Sequence, residues 1–288
     1  MVVKRCCRYA VLFGITAFAP LTIAQPVEHR PLLATLSADQ QLALDALSEA
    51  TQGAFTPGPP VRRAGALRYR ILAPTPPATA ERPAPLVVML HGSDQLGTDN
   101  SAQVGALAKS WATPMVKARF PAFVVAPQFD QRPVEYGRTV DGPRISRPGV
   151  ELNALYALVD DLEARLPIDR SRVYVVGFSM GASTAIQAVA GQPWRFAGAV
   201  AFSPVPPPRE VANRVVDTPL LLVAGTVDTV NPLRATSRWA EAAERAGGVV
   251  RMIVYDGLGH DVPPEMILAT DWRDWLFRQR RGEGKPRQ

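Results

Sequence analysis

The chain has 288 residues, 47% hydrophobic and 20% charged, with a formal net charge of +6. That supplies the core of one sizeable domain and excludes bulk disorder. Its basic residues are scattered, apart from Arg278, Arg280, Arg281, Lys285 and Arg287 near the end, so the charge gives no footprint for a nucleic-acid partner.

Taken in order, the chain begins with a basic start, Lys4, Arg5 and Arg8, followed by an apolar stretch from Ala10 to Ile23 and the small-residue triplet Thr22-Ile23-Ala24. This pattern predicts an export signal over 1–24, cleaved after Ala24, and a secreted or periplasmic protein with no stable membrane insertion. An uncleaved N-terminal anchor is the alternative. Gly14 and Pro20 interrupt the stretch, which is short for a membrane span. Both cysteines, Cys6 and Cys7, fall inside the signal. The mature chain is thus expected to lack disulfides, a catalytic thiol and a thiolate metal site. Three of the 32 basic residues and no acid lie there too, so the net charge falls to +3.

A helix is predicted from Ser37, an N-cap with Gln40 three positions on, and Leu42, Leu44, Leu47 and Ala50 form its apolar side. Gly53 and the prolines to Pro60 end it. Residues 25–60 therefore read as a helix and proline-rich linker, 61–281 as the main domain, and 282–288 as a basic tail.

Leu67 to Leu72 alternates as a strand, and Leu86 to Leu90 is a continuous apolar run, as in strands buried on both faces. The same type recurs at 123–126, 173–176, 199–202, 220–224 and 249–255. Helices are predicted near 103–118, 150–165, 181–191, 233–246 and 264–280. Strand and helix in alternation predict an α/β fold with a mostly parallel sheet, helices on both faces, and a small lid or none. Ligands of such sheets bind at the carboxyl ends of strands.

Four strand ends carry chemistry. Gly177-Phe178-Ser179-Met180-Gly181 is a G-x-S-x-G turn between a predicted strand and helix. In such a turn the glycines leave room for the reversal and Ser179 stands exposed at its apex as the nucleophile. A serine hydroxyl needs a base. Among three histidines, His260 follows the strand 249–255 and is the candidate. His29 lies outside the α/β pattern and reads as inert; His91 follows the strand ending at Leu90 and reads as a structural brace. The acid that orients the base is Asp228, after the strand 220–224, which gives the chain order Ser, Asp, His. Asp217 sits at the wrong strand end, and Asp261 cannot easily fold back onto its own neighbour. A tetrahedral oxyanion needs backbone N–H donors. Met180 supplies one; the loop after Leu90 supplies the other, from Ser93 or, alternatively, Gly92.

These segments, with Leu90 to Asn100, Ala126-Pro127-Gln128, Ile168 to Gly181, Gly225 to Pro232 and Tyr255 to Pro264, resemble the α/β-hydrolase superfamily from about Leu67 onward. Within it, the chain is similar to secreted esterases related to polyhydroxybutyrate depolymerase, to the predicted peptidases beside them, and to the phospholipase/carboxylesterase family. Ala182 stands where relatives often carry a glycine, and Ser93-Asp94 replaces a glycine-rich pair. The resemblance implies a serine hydrolase cleaving a small-molecule carboxylic ester. A peptidase with the same triad and a non-catalytic binding protein are the competing readings. No cofactor is implied, and no paired ligand spacing suggests a metal. Residues 128–149 are too long and polar for an ordinary connection and predict a small lid or pocket wall. Arg132, Arg138, Arg144 and Arg147 in that segment leave open an acidic substrate group.

Overall fold

A computed structural model describes residues 27–33, 35–47, 53–61, 67–139 and 142–282. The expected signal over 1–24, with both cysteines, and the last residues of the basic tail lie outside them.

The sheet is built on the apolar runs. Its strands are β1 (Glu28–Pro31), β2 (Thr56–Pro57), β3 (Arg68–Leu72), β4 (Ala84–Leu90), β5 (Phe123–Gln128), β8 (Ile168–Phe178), β9 (Gly198–Phe202), β10 (Leu220–Gly225) and β11 (Val250–Asp256), with β6 (Val134–Arg138) and β7 (Arg144–Pro148) forming a separate hairpin. The spatial order is β1-β11-β10-β9-β8-β4-β5-β3-β2. All neighbours are parallel except at the β5–β3–β2 edge, which is antiparallel. Alternation along β4 explains its unbroken apolar sequence: Leu86, Val88 and Leu90 enter one core, Val87 and Met89 the other.

Helices cover both faces. Against the first core lie α4 (Leu152–Arg165), α5 (Met180–Gly191) and α6 (Leu233–Arg245). Against the second lie α2 (Ala106–Lys109), α3 (Pro114–Arg119), α7 (Pro264–Leu268) and α8 (Asp271–Phe277). In α5, every residue from Met180 to Ala190 is buried, which its uncharged, alanine-rich sequence permits. In contrast, α6 buries Trp239, Ala240, Ala242 and Ala243 and leaves Arg234, Arg238 and Arg245 outside.

Three expectations are corrected. Residues 25–60 do not stand apart from the domain as a helix and linker, because β1 pairs with β11 and β2 with β3, so this stretch supplies both edges of the sheet. Phe55 is fully buried in the second core, and His29 sits inside the pattern, in register with Val254, though its side chain is exposed. The helix α1 (Ala38–Asp45) does form behind the reciprocal Ser37–Gln40 capping box, but it buries none of its residues. Of the apolar side, Ala50 lies outside the described residues; Leu42 is exposed, Leu44 half-buried, and Leu47, beyond the helix, buried.

The single helices expected at 103–118 and 264–280 are each broken. Pro114 restricts Thr113 to an extended conformation and starts α3 afresh. Ala269 is extended between α7 and α8, and its carbonyl and that of Ile267 accept from the buried Arg273 guanidinium. The same guanidinium stacks on Trp272 and Trp111. Finally, the segment 128–149 holds an antiparallel hairpin, β6 (Val134–Arg138) and β7 (Arg144–Pro148). It is tied to the core by the Ser146 N–H donating to Pro206 O at 2.9 Å and Gln187 Nε2 donating to Ser146 O at 2.8 Å.

Candidate active site

The G-x-S-x-G turn joins β8 to α5 with almost no intervening chain. A Cβ on Gly177 would fall 2.3 Å from the Gly181 carbonyl carbon, and one on Gly181 would fall 2.1 Å from Leu90 O. Backbone atoms cannot yield by that much, so both positions require glycine. Ser179 itself sits at φ 54°, ψ −111°, a conformation costly for an L side chain. Its backbone is held there: its N–H donates to Phe202 O at 2.9 Å, and its carbonyl accepts from Ser183 Oγ and from the Ser183 N–H, each at 3.0 Å. Ser183 Oγ also accepts from Val205 N–H at 2.9 Å, linking the turn to the chain beyond β9.

His260 follows β11, and Asp228 follows β10. His260 Nε2 lies 2.8 Å from Ser179 Oγ, and His260 Nδ1 lies 2.8 Å from Asp228 Oδ2. With the ring proton on Nδ1, the imidazole donates to the carboxylate and Nε2 accepts the serine hydroxyl. The Asp228 side chain is fully buried and His260 partly exposed. The other oxygen, Asp228 Oδ1, accepts the N–H groups of Val230 and Asn231 at 2.9 and 2.8 Å. The carboxylate therefore has partners on both oxygens, which offsets its burial. The Phe178 ring packs beside the imidazole, 5.1 Å between centroids. Asp261 accepts the Val262 N–H at 2.7 Å and makes no bond to His260. Three residues separated by up to 81 positions in the chain thus form one hydrogen-bonded line at the carboxyl edge of the sheet.

The end of β4 packs against the serine turn: a Cβ on Gly181 would also fall 2.8 Å from His91 O. Met180 N is the first amide of α5 and has no partner within the helix. Ser93 opens a short 3₁₀ turn, Ser93–Gln95. The Gly92 N–H donates to Gln95 Oε1 at 3.1 Å, and Gln95 Nε2 donates to Ala102 O at 2.8 Å. The Gly92 amide is thereby engaged within its own loop. His91 is buried and braces this loop: its Nδ1 lies 2.7 Å from Gly92 O, and its Nε2 accepts the Phe129 N–H at 3.1 Å. An N–H donor at Nε2 fixes the neutral tautomer with the proton on Nδ1. A cavity of about 190 Å³ opens beside it, between Gly92, Phe178, Leu107, Val262 and Ile267.

Burial holds the His91 imidazole below its ordinary value of 6.5, outweighing the raising effects of Gly92 O and Asp94. The unfolded chain therefore takes up a proton here that the folded chain refuses. Stability linked to His91 is complete above about pH 6.5 and declines as the pH falls below it. Thermal melting from pH 7.5 to 5 should show a smaller loss in His91→Gln, which cannot titrate, than in the native protein; equal slopes would contradict the role of the neutral ring.

The residues that sequence reasoning missed are Asn231, Ser183, Phe178 and Gln95. Asn231 carried a readable signal: Asp228-Thr229-Val230-Asn231 is an aspartate followed by backbone donors two and three residues on, the spacing of an Asx turn. Among the described residues, no group of three or more His, Cys, Asp or Glu is arranged to hold a metal ion, and no helix is long and apolar enough to cross a membrane.

Residues 150–271, which carry the serine turn and the aspartate and histidine loops, match the phospholipase/carboxylesterase family. The acyl-protein thioesterase 1 of Eremothecium gossypii is 32% identical over 110 residues, 35% of this chain and 45% of that protein. The match thus spans less than half of the relative's length. A thermostable esterase of known structure superposes with a TM-score of 0.70 at 25% identity, over 80% of this chain and 64% of the other. A puromycin-hydrolyzing peptidase of Mycobacterium tuberculosis superposes at 0.58 and 16% identity, over 77% of this chain and 39% of that one; this likeness concerns the fold alone. Strand order, serine turn and sequence match agree: the chain has the α/β-hydrolase fold, and over residues 150–271 it is similar to the phospholipase/carboxylesterase family.

Proposed function

We propose that the protein is a serine hydrolase that cleaves carboxylic esters of small molecules through an acyl-enzyme. The observation that carries this reading is the unbroken line Ser179 Oγ–His260 Nε2 and His260 Nδ1–Asp228 Oδ2, each link 2.8 Å. Ser179 attacks the acyl carbonyl while Nε2 takes its proton, and the buried Asp228 carboxylate stabilises the imidazolium that results. The tetrahedral oxyanion accepts N–H bonds from Met180 and Ser93. His260 then protonates the departing alkoxide, and water attacks the acyl-enzyme by the same route in reverse. The 190 Å³ cavity beside Gly92 and Phe178 suits a short acyl or alcohol portion.

The peptidase-like neighbours share the fold, so the bond cleaved needs its own argument. An alkoxide or phenolate leaves more readily than an amine and asks less of His260 during collapse. Among the described residues, one sheet with its helices and a single hairpin leaves no second module to align an extended peptide. A matched ester and peptide amide should differ by about a hundredfold or more in kcat/KM, in favour of the ester. Comparable values on both would overturn the ester reading and establish a peptidase. Action outside the cytoplasm belongs to the same proposal and rests on the sequence of residues 1–24 alone. Recovered protein beginning at Gln25 is expected; an intact Met1 would contradict it.

A further inference from the structure

The hairpin and α6 bring together arginines that are far apart in the chain. A cavity of about 580 Å³ opens between the hairpin, the chain after β9 and the Asp228 loop. Arg138 and Arg144 line it from the hairpin, and Arg234 and Arg238 line it from α6. No carboxylate among the described residues lines it; Asp141, next to Gly142 in sequence, lies outside them. The nearest acid on α6, Glu241, is 3.5 Å from Arg245 in an ion pair at the adjoining depression, which Arg144 and Arg238 also line. Four arginine side chains lining one opening without lining acids repel one another. That arrangement is offset when an anion enters between them.

One of the four is held in place. The Arg144 guanidinium stacks on Tyr136, 4.1 Å from the ring centroid, and its Nη1 donates to Asn231 Oδ1 at 3.4 Å. Asn231 in turn donates its backbone N–H to Asp228. The cavity and the triad therefore share a wall, the loop Thr229 to Pro232. Beside the polar Thr229 and Asn231, the lining has an apolar part made by Pro143, Pro204, Val205, Pro206 and Val230. Neither Ser179 nor His260 lines it, so an occupant sits beside the reacting atoms and not on them. The volume is that of an organic ligand and well above that of an inorganic ion.

We propose that this four-arginine cavity binds the carboxylate or phosphate of an amphipathic organic anion, with its apolar stem against the prolines and valines, and that the anion is carried by the ester substrate itself. The substrate half rests on the ester-hydrolase reading; anion binding does not. Planar guanidinium groups suit both oxyanions, because each can receive two parallel N–H bonds. The site then selects esters bearing a distal negative charge over neutral esters of equal length.

The test compares 4-nitrophenyl hydrogen suberate with 4-nitrophenyl octanoate on the native protein and on the Arg234→Gln/Arg238→Gln double variant. Both substituted side chains are exposed on α6 and outside the triad. The preference for the charged ester should fall about tenfold or more in the variant, through KM, with octanoate turnover unchanged. High salt should erode the native preference in the same direction. Equal effects on both esters, or none, would overturn the substrate half. Calorimetric titration with suberate and with inorganic phosphate reads binding without turnover. Saturable binding that the variant loses supports the anion site even if neither ester is cleaved, an outcome that counts against the hydrolase reading alone. Binding of phosphate with an unaltered ester preference assigns the site to a free anion. No saturable binding of either anion overturns the site.

Discussion

Ser179→Ala is expected to abolish ester turnover and covalent labelling by a fluorophosphonate while the protein remains folded. The substitution removes one partly exposed oxygen whose hydrogen bond is to His260. The bonds that hold the turn use the backbone of residue 179, its N–H to Phe202 O and its carbonyl to Ser183 Oγ, and both survive. Alanine bears the same strain at φ 54° as serine, so the cost of that conformation cancels between the two proteins. The loss of kcat should be about 10⁴-fold or more, because nucleophile and base act as a unit. Melting should change little. Undiminished labelling of the alanine variant would remove Ser179 from the mechanism and reopen the reading of the chain as a non-catalytic binding protein.

The parts of the molecule that could be read from sequence share a physical cause. Strands buried on both faces admit only apolar residues, so β4, β5, β9 and β10 stand out as runs such as Leu86 to Leu90. The serine turn is legible because its steric limits fall on two fixed positions, Gly177 and Gly181. What escaped was structure set by distant partners. β1, Glu28–Pro31, has no run of its own; it is a strand because β11 offers an unpaired edge. The hairpin over 134–148 alternates only loosely, with Val134 and Ile145 buried while Arg138 and Arg147 are exposed. It owes its place to Ser146 and Gln187. The same distance hid the arginine cavity: Arg144 and Arg234 lie 90 positions apart in the sequence, and only the fold makes them neighbours.

Asp228→Asn should lower kcat by up to about 10⁴-fold with KM nearly unchanged, and the hydrogen bonds around the residue show why. Asp228 Oδ1 accepts two backbone N–H groups, from Val230 and Asn231. An asparagine at this position must keep its carbonyl oxygen there, since its NH₂ group facing two donors would leave buried polar groups unsatisfied. The NH₂ group is thereby turned toward His260 Nδ1, in the place now held by Oδ2. Nδ1 becomes an acceptor, the ring proton moves to Nε2, and Nε2 can no longer take the proton of Ser179. The shape of the site persists while the base is disabled. Asp261→Asn offers the control, because Asp261 bonds to Val262 N and not to the imidazole, and its turnover should stay within about twofold of the native value. Steady-state kinetics on one ester for both variants decides between them. A silent Asp228→Asn beside a crippled Asp261→Asn would transfer the orienting role to Asp261 and break the mechanism proposed here.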